Sequence, residues 1–153
     1  MPNTFRALLK AIIDATAYAS KPANRKEIAA AIAPANYLNQ PVTVVEQVLT
    51  GTFADGLGKV QTVPDRIDFA PFPWHSMAVW ILTQMKRWGQ IKGDIDYRKV
   101  AEQVFLATDA TKTMREMGLN PPEGTYGKYR VMGKEFDPAS PEAYVASFPI
   151  RRT

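Results

Sequence analysis

The sequence predicts a mainly α-helical domain with a minor β component, and three observations carry that expectation. Apolar residues recur at i, i+3, i+4 and i+7 in several stretches, the spacing that lines one face of a helix. The 12 prolines and 9 glycines stand between these stretches and do not cluster, so they punctuate elements. Two segments lose the helical period and gather turn residues, which leaves room only for short strands.

Phe5, Leu8, Leu9, Ile12 and Ile13 open the chain on this spacing. Arg6, Lys10 and Asp14 take the opposite face, and Asn3 or Thr4 is suited to cap the first turn. "SKPANRKEIAAAIAP" breaks at Pro22, offers Asn24 as a cap, and then runs as an alanine-rich helix to Pro34. "NQPVTVVEQVLTG" puts Pro41 at a permitted first-turn position and Gly51 just past the end, with Val42, Val45, Val48 and Leu49 as its buried stripe. Residues 51–72 lack helical period and hold Asp55, Gly56, Gly58 and Pro64; they predict an ordered loop with short strands near 59–63 and 66–69.

"PFPWHSMAVWILTQMKRWG", residues 71–89, predicts a helix from about Trp74 to Trp88. Trp74, Met77, Ala78, Ile81, Met85 and Trp88 share one face and are expected to pack a core. Trp74 and the chain's one histidine, His75, fall in the first turn. Free N–H groups and the helix dipole favour an anion there, which makes these two residues the candidate ligand-binding pair. Further on, Asp96 is expected to cap a helix burying Val100, Val104 and Phe105. Thr108 or Asp109 caps another, which ends at Gly118 before Pro121 and Pro122. The tail predicts a hairpin about Gly133, then a helical turn or two with Ser140 as cap and Pro141 at the first position.

Length and composition bound the rest. With 153 residues, 46% of them hydrophobic and 22% charged, the chain suits one domain, residues 1–153. The net charge of +4, from 19 basic and 15 acidic residues, has no dense cluster beyond Arg151 and Arg152, which argues against nucleic-acid binding. The absence of cysteine excludes disulfides and thiolate metal sites. One histidine and scattered carboxylates give no metal-ligand spacing; Asp94 and Asp96 read as a solvated cap. "GTFADGLGK" matches neither the phosphate-loop nor the dinucleotide pattern, and no nucleophile elbow is present, so no catalytic residue, enzyme activity or cofactor is expected. No stretch approaches the ~20 apolar residues of a membrane span. Arg6, Lys10 and Asp14 interrupt what a signal peptide would need as an apolar run. As written, the chain is expected to be cytoplasmic.

Three stretches carry a resemblance: "NRKEIAAAIAPANYLNQPVTVVEQVLTGTFADGLGKV", "FPWHSMAVWILTQMKRWGQIKGDID" and "FDPASPEAYVASFPIRR". With "LTGTF", "WILTQMKRWG" and the "FDP…PEAYV" ending, they resemble the C-terminal part of the nitrate/bicarbonate substrate-binding family of ABC transporters. The match runs over nearly the whole chain. A related domain is fused to an ATP-binding subunit of cyanobacterial nitrate transporters, where it resembles a regulatory sensor.

The resemblance implies part of a type II periplasmic-binding-protein fold, the helical C-terminal portion, with a small oxyanion held between two lobes. It implies a periplasmic location if a signal-bearing N-terminal half belongs to the protein. The family's anion contacts lie mostly outside the segments matched here. The sequence is therefore expected to supply one wall of a cleft, with poor affinity for an anion alone. Its unmatched apolar surface is expected to exceed the few hundred Å² usual for a monomer and to draw a partner. Expected partners are transporter subunits, a separate N-terminal half, or a second copy. The competing readings are a non-ligand accessory protein and an enzyme of the thiamine-pyrimidine synthesis superfold, for which His75 is the only centre the sequence offers.

Overall fold

The computed structural model describes residues 2–131 and 133–149. Arg151 and Arg152 lie outside these described residues. Among them are seven α-helices, a 3-10 turn and two separate two-stranded antiparallel hairpins. The chain divides into two compact units, one ending at Pro71 and the other starting at Phe72. The mainly helical expectation holds.

The first unit runs α1 (Pro2–Ala19), the 3-10 turn Pro22–Asn24, α2 (Arg25–Ile32), α3 (Val42–Thr50), β1 (Thr52–Ala54) and β2 (Val60–Thr62). Its core is the α2/α3 contact: Ala29, Ala33, Val45 and Leu49 are buried, flanked by Ile28, Ile32, Ile67 and Phe69. Alanines on α2 let the two backbones approach, and Gly51 in the left-handed conformation (φ +73°) ends α3 as the sequence suggests. The buried Arg25 guanidinium ties the unit together: its Nη1 donates to the carbonyls of Leu49 (3.1 Å) and Pro64 (2.9 Å).

Several expectations fail in this unit. Of the α1 stripe only Ile13 is buried; Phe5, Leu8 and Ile12 are exposed, because the helix meets its unit chiefly through its C-terminal turns. On α3, Val45 and Leu49 go inward, while Val42 and Val48 stay exposed. Asn3 and Thr4 lie inside α1, which runs from Pro2. Asn24 stands at the N-terminus of α2 without a side-chain cap bond; its Nδ2 instead donates to the Tyr18 carbonyl (2.9 Å). The strand expected near 59–63 exists as β2, paired with β1 at Thr52, which the sequence reading missed. Residues 66–69 form no strand.

The second unit runs α4 (His75–Arg87), α5 (Tyr97–Val104), α6 (Ala107–Glu116), β3 (Tyr129–Val131), β4 (Lys134–Phe136) and α7 (Pro141–Ala146). Helix α4 is its axis, packed against α5 and α7. The core joins Ala78, Val79 and Leu82 to Tyr97, Ala101, Phe136, Tyr144 and Phe148. Tyr144 stands edge-on to both Phe136 (5.0 Å) and Phe148 (5.1 Å), an arrangement that aromatic quadrupoles favour. The Arg87 guanidinium lies over the rings of Phe148 (3.9 Å) and Trp88 (4.7 Å), which gives the "KRWG" motif a packing role.

Helix α4 buries a different face from the one its strongest apolar stripe suggests. Met77, Ile81 and Trp88 are exposed, and the inward face carries His75, Ser76, Ala78, Val79, Leu82, Thr83 and Arg87. The helix is apolar on two sides, and the buried one includes polar residues whose hydrogen bonds exist only in the folded unit. On α5, Asp96 caps as expected, its Oδ1 accepting from the Lys99 N–H (3.0 Å). The residues that α5 buries are Tyr97 and Ala101; Val104 is exposed, and Val100 and Phe105 are half-buried. On α6 the cap position lies two or three residues earlier than expected, at Leu106, and Thr108 and Asp109 fall inside the first turn. The hairpin about Gly133 and the Pro141 start of α7 stand where the sequence put them.

Candidate functional site

The first turn of α4, where Trp74 and His75 lie, is built against the segment from Thr125 to Val131. His75 is 7% exposed. Its Nε2 lies 2.9 Å from the Phe105 carbonyl and its Nδ1 2.9 Å from the Thr125 hydroxyl. A carbonyl only accepts, so Nε2 donates to Phe105, while Nδ1 and the Thr125 hydroxyl, which can each take either role, share the second bond. The ring thus joins α4, the end of α5 and the 125–127 segment. Trp74 packs edge-on to Phe72 (5.1 Å between centroids) and to Tyr129 (6.5 Å).

The amides that would attract an anion are met from within. The Ser76 N–H points to the Thr125 carbonyl (3.4 Å), and the Met77 N–H donates to the Trp74 carbonyl (3.0 Å). The Ser76 hydroxyl accepts from the Gly127 N–H (3.1 Å) and donates to the Tyr129 hydroxyl (3.0 Å). Trp74 and His75 are therefore brought together by the structure, but as parts of a satisfied, packed corner.

Beside His75 lies a charged group at the surface. The Tyr126 ring is 5.3 Å from the His75 ring, and its hydroxyl donates to Glu102 (3.1 Å). Arg98 Nε donates to the same carboxylate oxygen (2.9 Å), and its guanidinium lies 5.0 Å from the Tyr126 centroid. Arg98 first, then Tyr126, holds the Glu102 carboxyl below its ordinary range, so Glu102 stays ionised. Burial, then the bond to Glu102, pushes the Tyr126 phenol up.

On the outer side of α4 lies an open groove of about 510 Å³ between the helix and β3, lined by Met77, Trp80, Ile81, Tyr129, Arg130 and Val131. Its lining is almost wholly apolar. Its walls are anchored from beneath, because Trp80 Nε1 donates to the Tyr144 hydroxyl (3.2 Å) and Tyr129 is held by Ser76. A groove of this kind fits an apolar side chain far better than a hydrated anion. Sequence reasoning placed Met77 and Ile81 in the core and missed the groove. Its signal was the second apolar stripe on α4, Val79 and Leu82, which left one of the two faces over. Among the described residues there is no cluster of His, Asp or Glu able to hold a metal ion, and no helix is long and apolar enough to cross a membrane.

No protein-family model matches the chain. Against individual proteins, it is 27% identical to the nitrate/nitrite binding protein NrtA of Nostoc sp. over 99% of its own length. It is 28% identical, again over 99% of its length, to the bicarbonate transport ATP-binding protein CmpC of Synechococcus elongatus. It spans 37% of the first relative and 23% of the second. The crystal structure of the periplasmic nitrate-binding protein NrtA from Synechocystis superposes with a TM-score of 0.90 at 21% identity, over 97% of this chain and 42% of that one. The fold is thus part of a periplasmic-binding-protein architecture, and the resemblance carried by the motifs extends over the whole chain.

Proposed function

We propose that the chain is a substrate-binding-type module of an ABC transport system for nitrate or a related small anion such as nitrite or bicarbonate. The observation that carries this reading is the likeness, over 99% of the chain, to a nitrate/nitrite binding protein. The fold shared with NrtA over 97% of the chain supports it. The motifs that resemble the family have physical work in this fold. "LTG" ends α3 and seats Arg25, while "WILTQMKRWG" forms the axis of the second unit.

In this reading the described residues form one wall of the ligand site, and the opposing wall comes from further polypeptide, whether transporter subunit or complementary lobe. Trp74 and His75 pack that wall from behind, since both ring nitrogens of His75 are already engaged. The test is titration calorimetry with nitrate, nitrite and bicarbonate, alone and with the transporter's membrane and ATPase subunits, together with co-purification. Weak or no heat alone, and anion-dependent heat with a bound subunit, is the expected result. Neither heat nor a bound subunit under any condition would end the reading.

A second role in the same system draws on the relative CmpC, an ATP-binding protein, matched over 99% of this chain. There the module would sense the anion and act on the ATPase subunit. An anion-dependent change in ATP hydrolysis, with no change in anion capture, separates the two.

A further inference from the structure

We propose that a recess in the first unit, between α1, Ile28 of α2 and Phe69, binds a small quaternary ammonium compound. The site takes a cation, so it stands apart from the anion reading above and is tested without any anion.

The recess follows from the sequence of α1. Ala11, Ala15 and Ala19 stand four residues apart and so share one face of the helix. Their short side chains leave an open, mostly apolar cavity of about 590 Å³ against Ile28 and Phe69. Ile28 and Phe69 pack on the core of Ala29, Val45 and Leu49, so that wall is held from behind. The volume lies in the range of small-molecule sites. Every residue lining it belongs to the first unit.

The polar lining is one-sided. It consists of Asp14, Thr16 and Tyr18, with no lysine or arginine among the lining residues. The Thr16 hydroxyl turns back to the carbonyls of Ile12 (2.8 Å) and Ile13 (2.9 Å), and the Tyr18 hydroxyl donates to Glu27 (2.8 Å). Among the described residues the Asp14 carboxylate has no hydrogen bond or ion pair. Lys10, one turn earlier on α1, is engaged in another interaction. Asp14 is thus the one open polar group of an apolar recess.

That combination selects the ligand. One carboxylate supplies too few oxygens for a metal ion. A primary ammonium brings three N–H donors and would strand some of them against alanine, isoleucine and phenylalanine. A quaternary ammonium has no N–H to satisfy, and its methyl groups suit the apolar walls. Two aromatic residues, Tyr18 and Phe69, line the recess, and aromatic rings attract such cations. The bond from Tyr18 to the Glu27 carboxylate makes the phenol ring richer in electrons and strengthens that attraction.

Nuclear magnetic resonance titration of the chain tests this with choline, benzyltrimethylammonium and 3,3-dimethylbutan-1-ol, the uncharged carbon counterpart of choline. Both cations are expected to shift amides at 11–19, 28 and 69 with millimolar affinity. The uncharged compound is expected to bind at least about fivefold more weakly, the effect of one solvent-screened charge. Asp14→Asn is expected to cost choline a similar factor, and Tyr18→Leu about two- to fivefold. Ala15→Leu, which fills the recess, is expected to abolish the shifts while helical circular dichroism stays unchanged. Absence of shifts with either cation, shifts centred elsewhere, equal affinity for the uncharged compound, or full affinity in Asp14→Asn would each overturn the proposal.

Discussion

The backbone of Gly51 lies so close to Val63 that a β-carbon on the glycine would stand 2.0 Å from the Val63 carbonyl oxygen. The approach is held by the Val63 N–H donating to the Gly51 carbonyl (2.8 Å) while the Gly51 N–H closes α3 on Gln47 (3.1 Å). One glycine thus ends a helix and seats the hairpin that follows it. Gly51→Ala is expected to lower stability by at least about 1–2 kcal/mol from the left-handed conformation alone, with the backbone clash adding to it. Urea unfolding checks this, and an unchanged midpoint would mean that the strand moves away freely.

Arg25 closes the same region from inside. Its Nη1 holds the Leu49 and Pro64 carbonyls, and its Nε, buried, has no hydrogen-bond partner among the described residues. Replacing it with methionine removes the charge and strips both carbonyls of their donor. Bonds from a charged donor contribute about 1.5–3 kcal/mol, so Arg25→Met is expected to lose stability of that order. Hydrogen exchange should localise the loss to residues 49–64; protection unchanged there would contradict the role assigned to the guanidinium.

His75→Ala leaves the Phe105 carbonyl and the Thr125 hydroxyl without the ring between them. Unpaired buried polar groups cost about 1–3 kcal/mol each, and a cavity adds to that. The expected outcome is a drop in the denaturation midpoint, with amide shifts in the nuclear magnetic resonance spectrum along 105–107 and 125–127. Stability equal to the parent's would mean that the ring is dispensable as a strut.

Acid should weaken the fold from the carboxylates downward. Asp55, Glu102 and Asp137 all have carboxyl pKa values held below the ordinary one, chiefly by side-chain bonds from Gln61, Arg98 and Lys128 respectively. The folded state therefore binds fewer protons than the unfolded state just below the ordinary carboxylate pKa. The stability from these groups is present above that value, about 4, and is lost as pH falls through the lower folded values. Asp55 Oδ1 accepts from the Leu57 and Lys59 N–H groups, so Asp55→Asn is expected to flatten the pH dependence of hydrogen exchange in the hairpin; a slope identical to the parent's would count against that carboxylate holding the loop.

Legibility in the sequence followed range. Asp96 caps α5 because its carboxylate reaches an N–H three residues on, and Gly51 ends α3 because only glycine enters the left-handed region without a steric cost. Pro22, Pro41 and Pro141 mark helix starts for equally local reasons. These statements need only a few neighbouring residues, and the motifs were enough to point to the nitrate/bicarbonate-binding proteins.

The face that each helix buries was decided elsewhere. Met77 and Ile81 on α4, Phe5 and Leu8 on α1, and Val104 on α5 satisfy helical periodicity as well as the residues that are buried, yet they face out. Periodicity fixes which residues share a side; which side finds a neighbour depends on elements distant in the chain. His75 shows the same division: its place in a first turn is written locally, but Thr125, 50 residues on, and Phe105, 30 residues on, are what give its two nitrogens their partners. The sequence by itself therefore determined the helix ends that a local cap, glycine or proline marks, and what kind of protein the chain resembles. Only the tertiary structure decided which surfaces are spent on the core, because hydrogen bonds and packing between distant segments outweigh the local pattern.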